Sequence, residues 1–222
     1  MLSEYLIGST IYKDGPPSEV SAFVQRHVGV HNFTTEVRSN SAMLRHTLFG
    51  NLGLSVISYG GRTTLENPVG IDSFHFQLVM SGECVVRVDH EEMVLTPGWA
   101  TLINPSVPSS VTYSADCTKL IVNIPKSLVS ACSMDRSGHV PGNGVRFEPL
   151  PFALSDRSTT FRTVELLFLE AEEKGPHAYI TRPALEALFV AKLLDKFPNN
   201  APGSARASTH HDRFFDGVDR FI

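Results

Sequence analysis

The sequence predicts an α+β protein, an antiparallel β-barrel followed by an antiparallel helical hairpin, and three observations carry that expectation. Short runs rich in β-branched and aromatic residues recur between positions 43 and 125, each closed by Gly, Pro or Asn pairs. Strands at intervals of about eight to twelve residues argue a sandwich or a barrel. Beyond position 158 the apolar period changes from two to the three-and-four spacing of helices.

Taken in order, residues 18–27 (SEVSAFVQRH) follow the breaker Gly15-Pro16-Pro17 and place Val20, Phe23, Val24 and His27 at helical spacing, a short amphipathic helix. Residues 43–49 alternate, with Leu44, His46 and Leu48 on one face, and Gly50-Asn51 turns into a partner strand over 54–59. His46 is then either a core histidine bonded to backbone or a ligand contact. Gly60-Gly61 leads to a strand over 62–66. Residues 74–80, 84–88, 92–96 and 100–103 form the centre of the barrel, separated by Ser81-Gly82 and Pro97-Gly98. The last strand ends near Pro125 and carries Lys119, Ile121 and Asn123 on one face. Lys119 is either part of a pocket wall or a cation at a solvated strand end.

A loop with one short strand at 145–148 is expected before two helices, over 158–173 and 179–197, whose close spacing makes them antiparallel neighbours. Their apolar stripes are wider than one barrel wall requires, so part is expected to face a second copy, with Leu167, Leu185, Leu188 and Lys192 as the dimerisation candidates. Residues 198–211 read as a polar linker, and residues 212–222 begin an amphipathic helix too short to stand alone. The expected organisation is therefore a barrel over 1–150, a hairpin over 151–197, a linker over 198–211 and the start of a further domain over 212–222.

Composition narrows the function. With 19 basic against 23 acidic residues, the formal charge of −4 is the wrong sign for affinity built on phosphate neutralisation. Cys84, Cys117 and Cys132 are odd in number and lack C-x-x-C spacing, so neither a disulfide framework nor a zinc site is indicated, and a reducing cytoplasm is the simplest compartment. No run approaches the ~18 apolar residues of a membrane span, and no membrane association is expected.

The central strands resemble those of the cupin barrel, or double-stranded β-helix, in which a His-x-His pair and a later Pro-Gly turn mark the metal site. Side chains two apart share one face of a strand and point into the barrel together. Here that pair is His75 and Gln77, the carboxylate position falls near Ser81 or Gly82, and the last histidine position near Pro108 or Ser109. One imidazole and one amide do not make a transition-metal centre, so no metal or other cofactor is expected and the interior is free to bind something else.

The order of barrel, hairpin, linker and a closing helix ending Val218-Asp219-Arg220-Phe221-Ile222 resembles the AraC/XylS family of transcriptional activators. So do Val28-Gly29-Val30-His31, Leu48-Phe49-Gly50, residues 57–61 (ISYGG), residues 113–117 (YSADC) and Gly144-Val145-Arg146-Phe147, which are similar to segments of the XylS/BenR branch. The resemblance implies that the barrel binds a small-molecule effector, an aromatic carboxylate in the first instance, that the hairpin makes a homodimer, and that DNA is read only by helix-turn-helix motifs beyond this chain. Inward parity offers His46, His75, Gln77 and Lys119 as polar effector contacts, with Tyr59 and Trp99 as ring-stacking walls. Against this stands a cupin-fold enzyme, an isomerase or dioxygenase acting on a small acid or sugar, which the vacant metal positions and the absence of a nucleophile–base pair disfavour.

Overall fold

A computed structural model describes residues 4–36, 40–69, 72–173 and 178–202. The alternating and apolar runs of the first two thirds form β1 (Thr10–Gly15), β2 (Asn32–Thr35), β3 (Ala42–Phe49), β4 (Leu52–Ser58), β5 (Thr63–Asn67), β6 (Ser73–Ser81), β7 (Cys84–Val88), β8 (Glu91–Leu95), β9 (Trp99–Ile103), β10 (Ser109–Tyr113) and β11 (Thr118–Pro125), with β12 (Phe152–Ala153) added at an edge. Among the described residues, four α-helices accompany them: α1 (Pro17–His27), α2 (Lys126–Ser137), α3 (Thr159–Glu172) and α4 (Ala178–Lys196). The strands make two antiparallel sheets, of order β1-β3-β4-β11-β6-β9-β12 and β2-β5-β10-β7-β8, which face each other as a cupin-like barrel.

The two-residue period of β6 decides what each face of the larger sheet does. Phe74, Phe76 and Leu78 point outward into a core shared with the helices, where Phe76 meets Phe189 and Phe197 edge-on at centroid distances of 5.6 and 6.1 Å. His75, Gln77 and Val79 point into the barrel. The expected register holds. Because both faces are covered, the stretches 74–79 and 119–122 are buried without interruption, although the sheet is antiparallel.

The hairpin is fixed to the barrel by a buried carboxylate. Glu186 of α4 accepts from the backbone N–H of Asn51 at 2.5 Å and from its side-chain amide at 2.9 Å, in the turn between β3 and β4. Gly50, at φ 59°, leaves room for it; a Cβ there would overlap the carboxylate. At the start of α3, Ser158 accepts from the N–H of Phe161 at 3.1 Å and caps the helix.

Several expectations are corrected. Helix α2 was not anticipated, because it buries only Val129 and Ser133 and so has almost no apolar stripe, although Pro125 before it and the left-handed Gly138 after it are boundary signals. Strands β1, β2, β10 and β12 were also missed, being short or largely polar. The strand expected at 145–148 is reduced to one bridge between Phe147 and Asn199. Leu48, expected on the inner face, is 69% exposed at the far end of β3. The beginning of the expected linker is docked rather than free: Asn200 accepts from Arg146 N–H at 2.7 Å and donates to Gly144 O at 3.1 Å, and Ala201 is buried. The rest of that linker and the expected helix over 212–222 lie outside the described residues.

Candidate functional site

Six strands and one helix converge on a cavity of about 40 Å³ inside the barrel. Strand register sets its polar wall. Ile121 of β11 lies opposite Gln77 of β6 on one side and Ser55 of β4 on the other, and Lys119, two residues earlier, shares that inward parity. His75, two residues before Gln77 on β6, adds an imidazole, while Leu65 of β5 and Val111 and Tyr113 of β10 form the wall opposite. Helix α1 closes the mouth with Phe23 and Val24, followed by Val28, Gly29 and His31. Ser21 and the Nε2 of His31 are 2.9 Å apart, and His31 Nδ1 is 3.0 Å from Gly29 O. A donating Nδ1–H leaves Nε2 to accept from the Ser21 hydroxyl, so this lid is stitched to itself.

The electrostatics of the cavity are unusual. Lys119 is 0% exposed. Its ammonium donates to Gln77 Oε1 at 2.6 Å and approaches Cys84 Sγ at 3.4 Å, and it sits 4.1 Å from the centroid of the Tyr113 ring. Among the described residues, no Asp or Glu lines the cavity. His75 is 2% exposed, and its Nε2 has no hydrogen-bond partner. Burial, and then the nearby charge of Lys119, pushes its pKa down to about 3, so the imidazole is neutral. The buried Oδ1 of Asn123, opposite His75 in register, also lacks a partner. A buried ammonium held by an amide, a sulfur and an aromatic face is costly unless something anionic completes its shell. Chemically, the site can grip a small anion and orient it with an imidazole and an amide.

Of the predicted contacts, His75, Gln77 and Lys119 are brought together. Three others are not. His46 stands beside the cavity, its Nδ1 2.9 Å from the Ser55 hydroxyl and its ring edge-on to Phe23 at 5.5 Å; burial, then the neighbouring His27, lowers its pKa. Tyr59 packs behind Tyr113 at 5.0 Å and beside Phe33 at 5.9 Å, so another ring stands between it and any ligand. Trp99 is half-buried against the inner core at one end of β9, away from the lining. The alternative that Lys119 ends in solvent is overturned by its burial. Reasoning from sequence missed Tyr113, Ser55 and the lid residues. Ser55 and Ile57 share a parity that alternation could have marked; nothing local ties α1 to the mouth of the barrel.

On the hairpin, Leu167 is fully buried in the outer core and is not available to a partner. Leu185 is half-buried against that core, Lys192 is half-buried, and Leu188 is 43% exposed. Exposed apolar side chains at Leu166, Leu169 and Ile180 lie on the same two helices. Among the described residues, no three His, Cys, Asp or Glu side chains are gathered as a metal would require, and no helix is long and apolar enough to cross a membrane.

Residues 20–194 match the AraC-binding-like domain. The XylDLEGF operon transcriptional activator of Pseudomonas putida is 34% identical over 140 residues, a stretch covering 63% of this chain and 44% of that protein. XylDLEGF operon transcriptional activator 3 of the same organism is 35% identical over 140 residues, again 63% of this chain and 42% of the relative. The match thus spans less than half the length of these relatives. Among solved structures, the AraC-like transcriptional activator CuxR superposes with a TM-score of 0.54 over 79% of this chain and 65% of its own, at 12% identity, a likeness of fold.

Proposed function

The chain belongs to the AraC-binding-like domain family, of AraC/XylS type, and on that premise we propose that it is the effector-binding and dimerisation region of a cytoplasmic DNA-binding transcriptional activator. Its effector is a small organic acid, an aromatic carboxylate first, and it is a sensor rather than an enzyme. One observation carries the reading: the fully buried ammonium of Lys119 faces a cavity with no carboxylate on its walls, beside the unpartnered Nε2 of His75. A carboxylate taken out of water needs charge-assisted hydrogen bonds from fixed groups, and Lys119 supplies the charge with Gln77 and His75 at hand to orient the oxygens. Leu65, Val111 and Tyr113 supply apolar and aromatic walls for the remainder of the ligand.

The small volume of the closed cavity supports a mechanism in which the barrel opens to its ligand. Some 40 Å³ accommodates water, whereas pockets for ligands of drug size enclose roughly 300 Å³ or more. The effector therefore binds a conformation in which α1 and residues 28–31 have moved off the mouth. A ligand shifts an equilibrium only by its differential affinity for the two states, and ~1–3 kcal/mol of coupling corresponds to about a 5–150-fold response. The Glu186–Asn51 contact and the Asn200–Arg146 contact connect the barrel to α4 and to the segment after it, and through them the change reaches the hairpin, where Leu166, Leu169, Ile180 and Leu188 form the surface for a second copy.

Calorimetric titration of benzoate into the wild-type chain and a Lys119→Met variant tests the proposal. Binding that weakens by at least roughly tenfold in the variant is expected, since a charge-assisted hydrogen bond is worth about 1.5–3 kcal/mol. Equal affinity in both would place the ligand outside the barrel.

A further inference from the structure

The cavity has a second chemistry behind Lys119. Cys84 opens β7 opposite Tyr113 of β10, and Cys117 closes the turn that leads into β11. The two loops that present them are laced together. Ser114 N–H donates to Glu83 O at 2.9 Å, Glu83 N–H donates to the Ser114 hydroxyl at 2.9 Å, and the Ser81 hydroxyl donates to Asp116 O at 2.9 Å. Both cysteines are free and fully buried. Lys119 Nζ is 3.4 Å from the Cys84 sulfur, and Cys117 lies against the same turn, its backbone nitrogen 2.6 Å from where a Cβ on Gly82 would stand. A hydrogen bond from Cys117 first, and then the charge and hydrogen bond of Lys119, draw the Cys84 thiol down from its ordinary range against the opposing effect of burial. Cys117 is held above its range because it keeps the shared proton. Cys132, the half-exposed third cysteine, is pushed up by its burial and by Asp135 and Glu186.

We propose that Cys84 and Cys117 are a modification site, an oxidisable dithiol activated by Lys119 that a small hydroperoxide converts to a disulfide. Both proposals use Lys119, and a Cys84 thiolate is a counter-charge that would share it with an effector carboxylate; the two are told apart because this one is read from the state of the sulfurs and the effector reading from ligand affinity. The Cys84 thiolate attacks the terminal oxygen of the hydroperoxide; the S–O bond forms, the O–O bond breaks, and the departing alkoxide or hydroxide takes a proton from Lys119. Cys117 returns a proton to the Lys119 amine, and its sulfur then attacks the Cys84 sulfenic acid, expelling hydroxide that solvent protonates to water. Two thiols are oxidised and one hydroperoxide is reduced to an alcohol, or to water when hydrogen peroxide is used, plus one water. Neither cysteine is on the cavity lining, so access runs past Lys119, which forms part of the wall with the Cys84 sulfur 3.4 Å behind its Nζ; hydrogen peroxide reaches that sulfur when the lysine side chain moves aside, and the about 40 Å³ excludes a bulky oxidant.

Brief treatment of the purified wild-type chain with hydrogen peroxide, followed by denaturation, alkylation with N-ethylmaleimide and peptide mapping, tests this. The expected result is a Cys84–Cys117 cross-linked peptide lacking two hydrogens, formed while Cys132 is still fully alkylated. Burial alone predicts the opposite order. In Cys117→Ser, dimedone is expected to trap the sulfenic acid on Cys84, and in Lys119→Met the oxidation at pH 7 is expected to slow by roughly tenfold as the thiolate fraction falls. Cys84 and Cys117 both remaining alkylatable after Cys132 has been oxidised overturns the proposal in the wild-type chain, without reliance on any variant. An unchanged oxidation rate in Lys119→Met overturns the role given to the lysine.

Discussion

The two faces of the larger sheet obey different rules although they are made by the same strands. Outward from β6, Phe74, Phe76 and Leu78 meet the aromatic and aliphatic side chains of α3 and α4, with few polar atoms to satisfy. Inward, one residue out of phase, His75 and Gln77 share a cramped space with Lys119 and leave polar atoms without partners. The outer face is built for stability. The inner face gives stability up at the proposed effector site, because unsatisfied buried groups persist only where the surrounding structure imposes them.

Substitutions that separate the faces should therefore separate stability from binding. The largest effect is expected for Phe76→Ala, which removes a ring from between Phe189 and Phe197 and costs about 3–5 kcal/mol in chemical denaturation. Its inner counterpart, Lys119→Met, is expected to leave the denaturation midpoint unchanged or raise it, since replacing a buried charge by an apolar side chain is often neutral or stabilising by about 1–4 kcal/mol. A loss of stability comparable to Phe76→Ala would break the comparison. Next comes the joint between the faces. Gly50→Ala forces a Cβ into a left-handed position and against Glu186, and about 1–3 kcal/mol of destabilisation is expected by the same measurement. Wild-type stability there would mean that α4 is not held through this turn.

Acid should act on the inner face. His75 in the folded chain stays neutral until about pH 3, whereas in the unfolded chain it protonates near its ordinary value of 6.5. Between those limits the unfolded state binds more protons, so stability falls as pH is lowered from about 6.5 towards 3; His46 and His31, also lowered, act in the same sense. Denaturation midpoints of His75→Asn are expected to be less pH-dependent than those of the wild type across that window. Identical slopes would contradict the burial assigned to this imidazole. The smallest effect on folding is expected at the hairpin surface, where Leu188→Glu should change stability by no more than ~0.5 kcal/mol yet weaken self-association measured by light scattering. A wild-type chain that is already monomeric at tens of micromolar contradicts that surface's assignment.

What could be read from the sequence follows the range of the physics involved. Parity along β6 is a local property with a period of two, so the opposite destinations of Phe76 and Gln77 were legible before any fold was known. Burial of Lys119 was not, because cations are rarely enclosed and its partners, Gln77, Cys84 and Tyr113, come from three other strands. Tyr59 and Trp99 were plausible walls by residue type, and lost the position to Tyr113 through sheet pairing that no local pattern reports. The hairpin stripes were visible as stripes, but a stripe wide enough for two contacts does not say which residue serves which. Leu167 went to the core, and Leu166, Leu169 and Leu188 were left outside.

The central claim is that the inner face recognises a negative charge, and the most direct measurement compares two ligands of nearly the same shape. Isothermal titration of benzoate and of benzamide into the wild-type chain at one pH and ionic strength isolates the charge, because the ring, the size and the trigonal head group are shared. Benzoate is expected to bind at least roughly tenfold more tightly, the contribution of a charge-assisted bond over a neutral one. Equal affinities, or a preference for the amide, would contradict the assignment of Lys119 as the anion's partner.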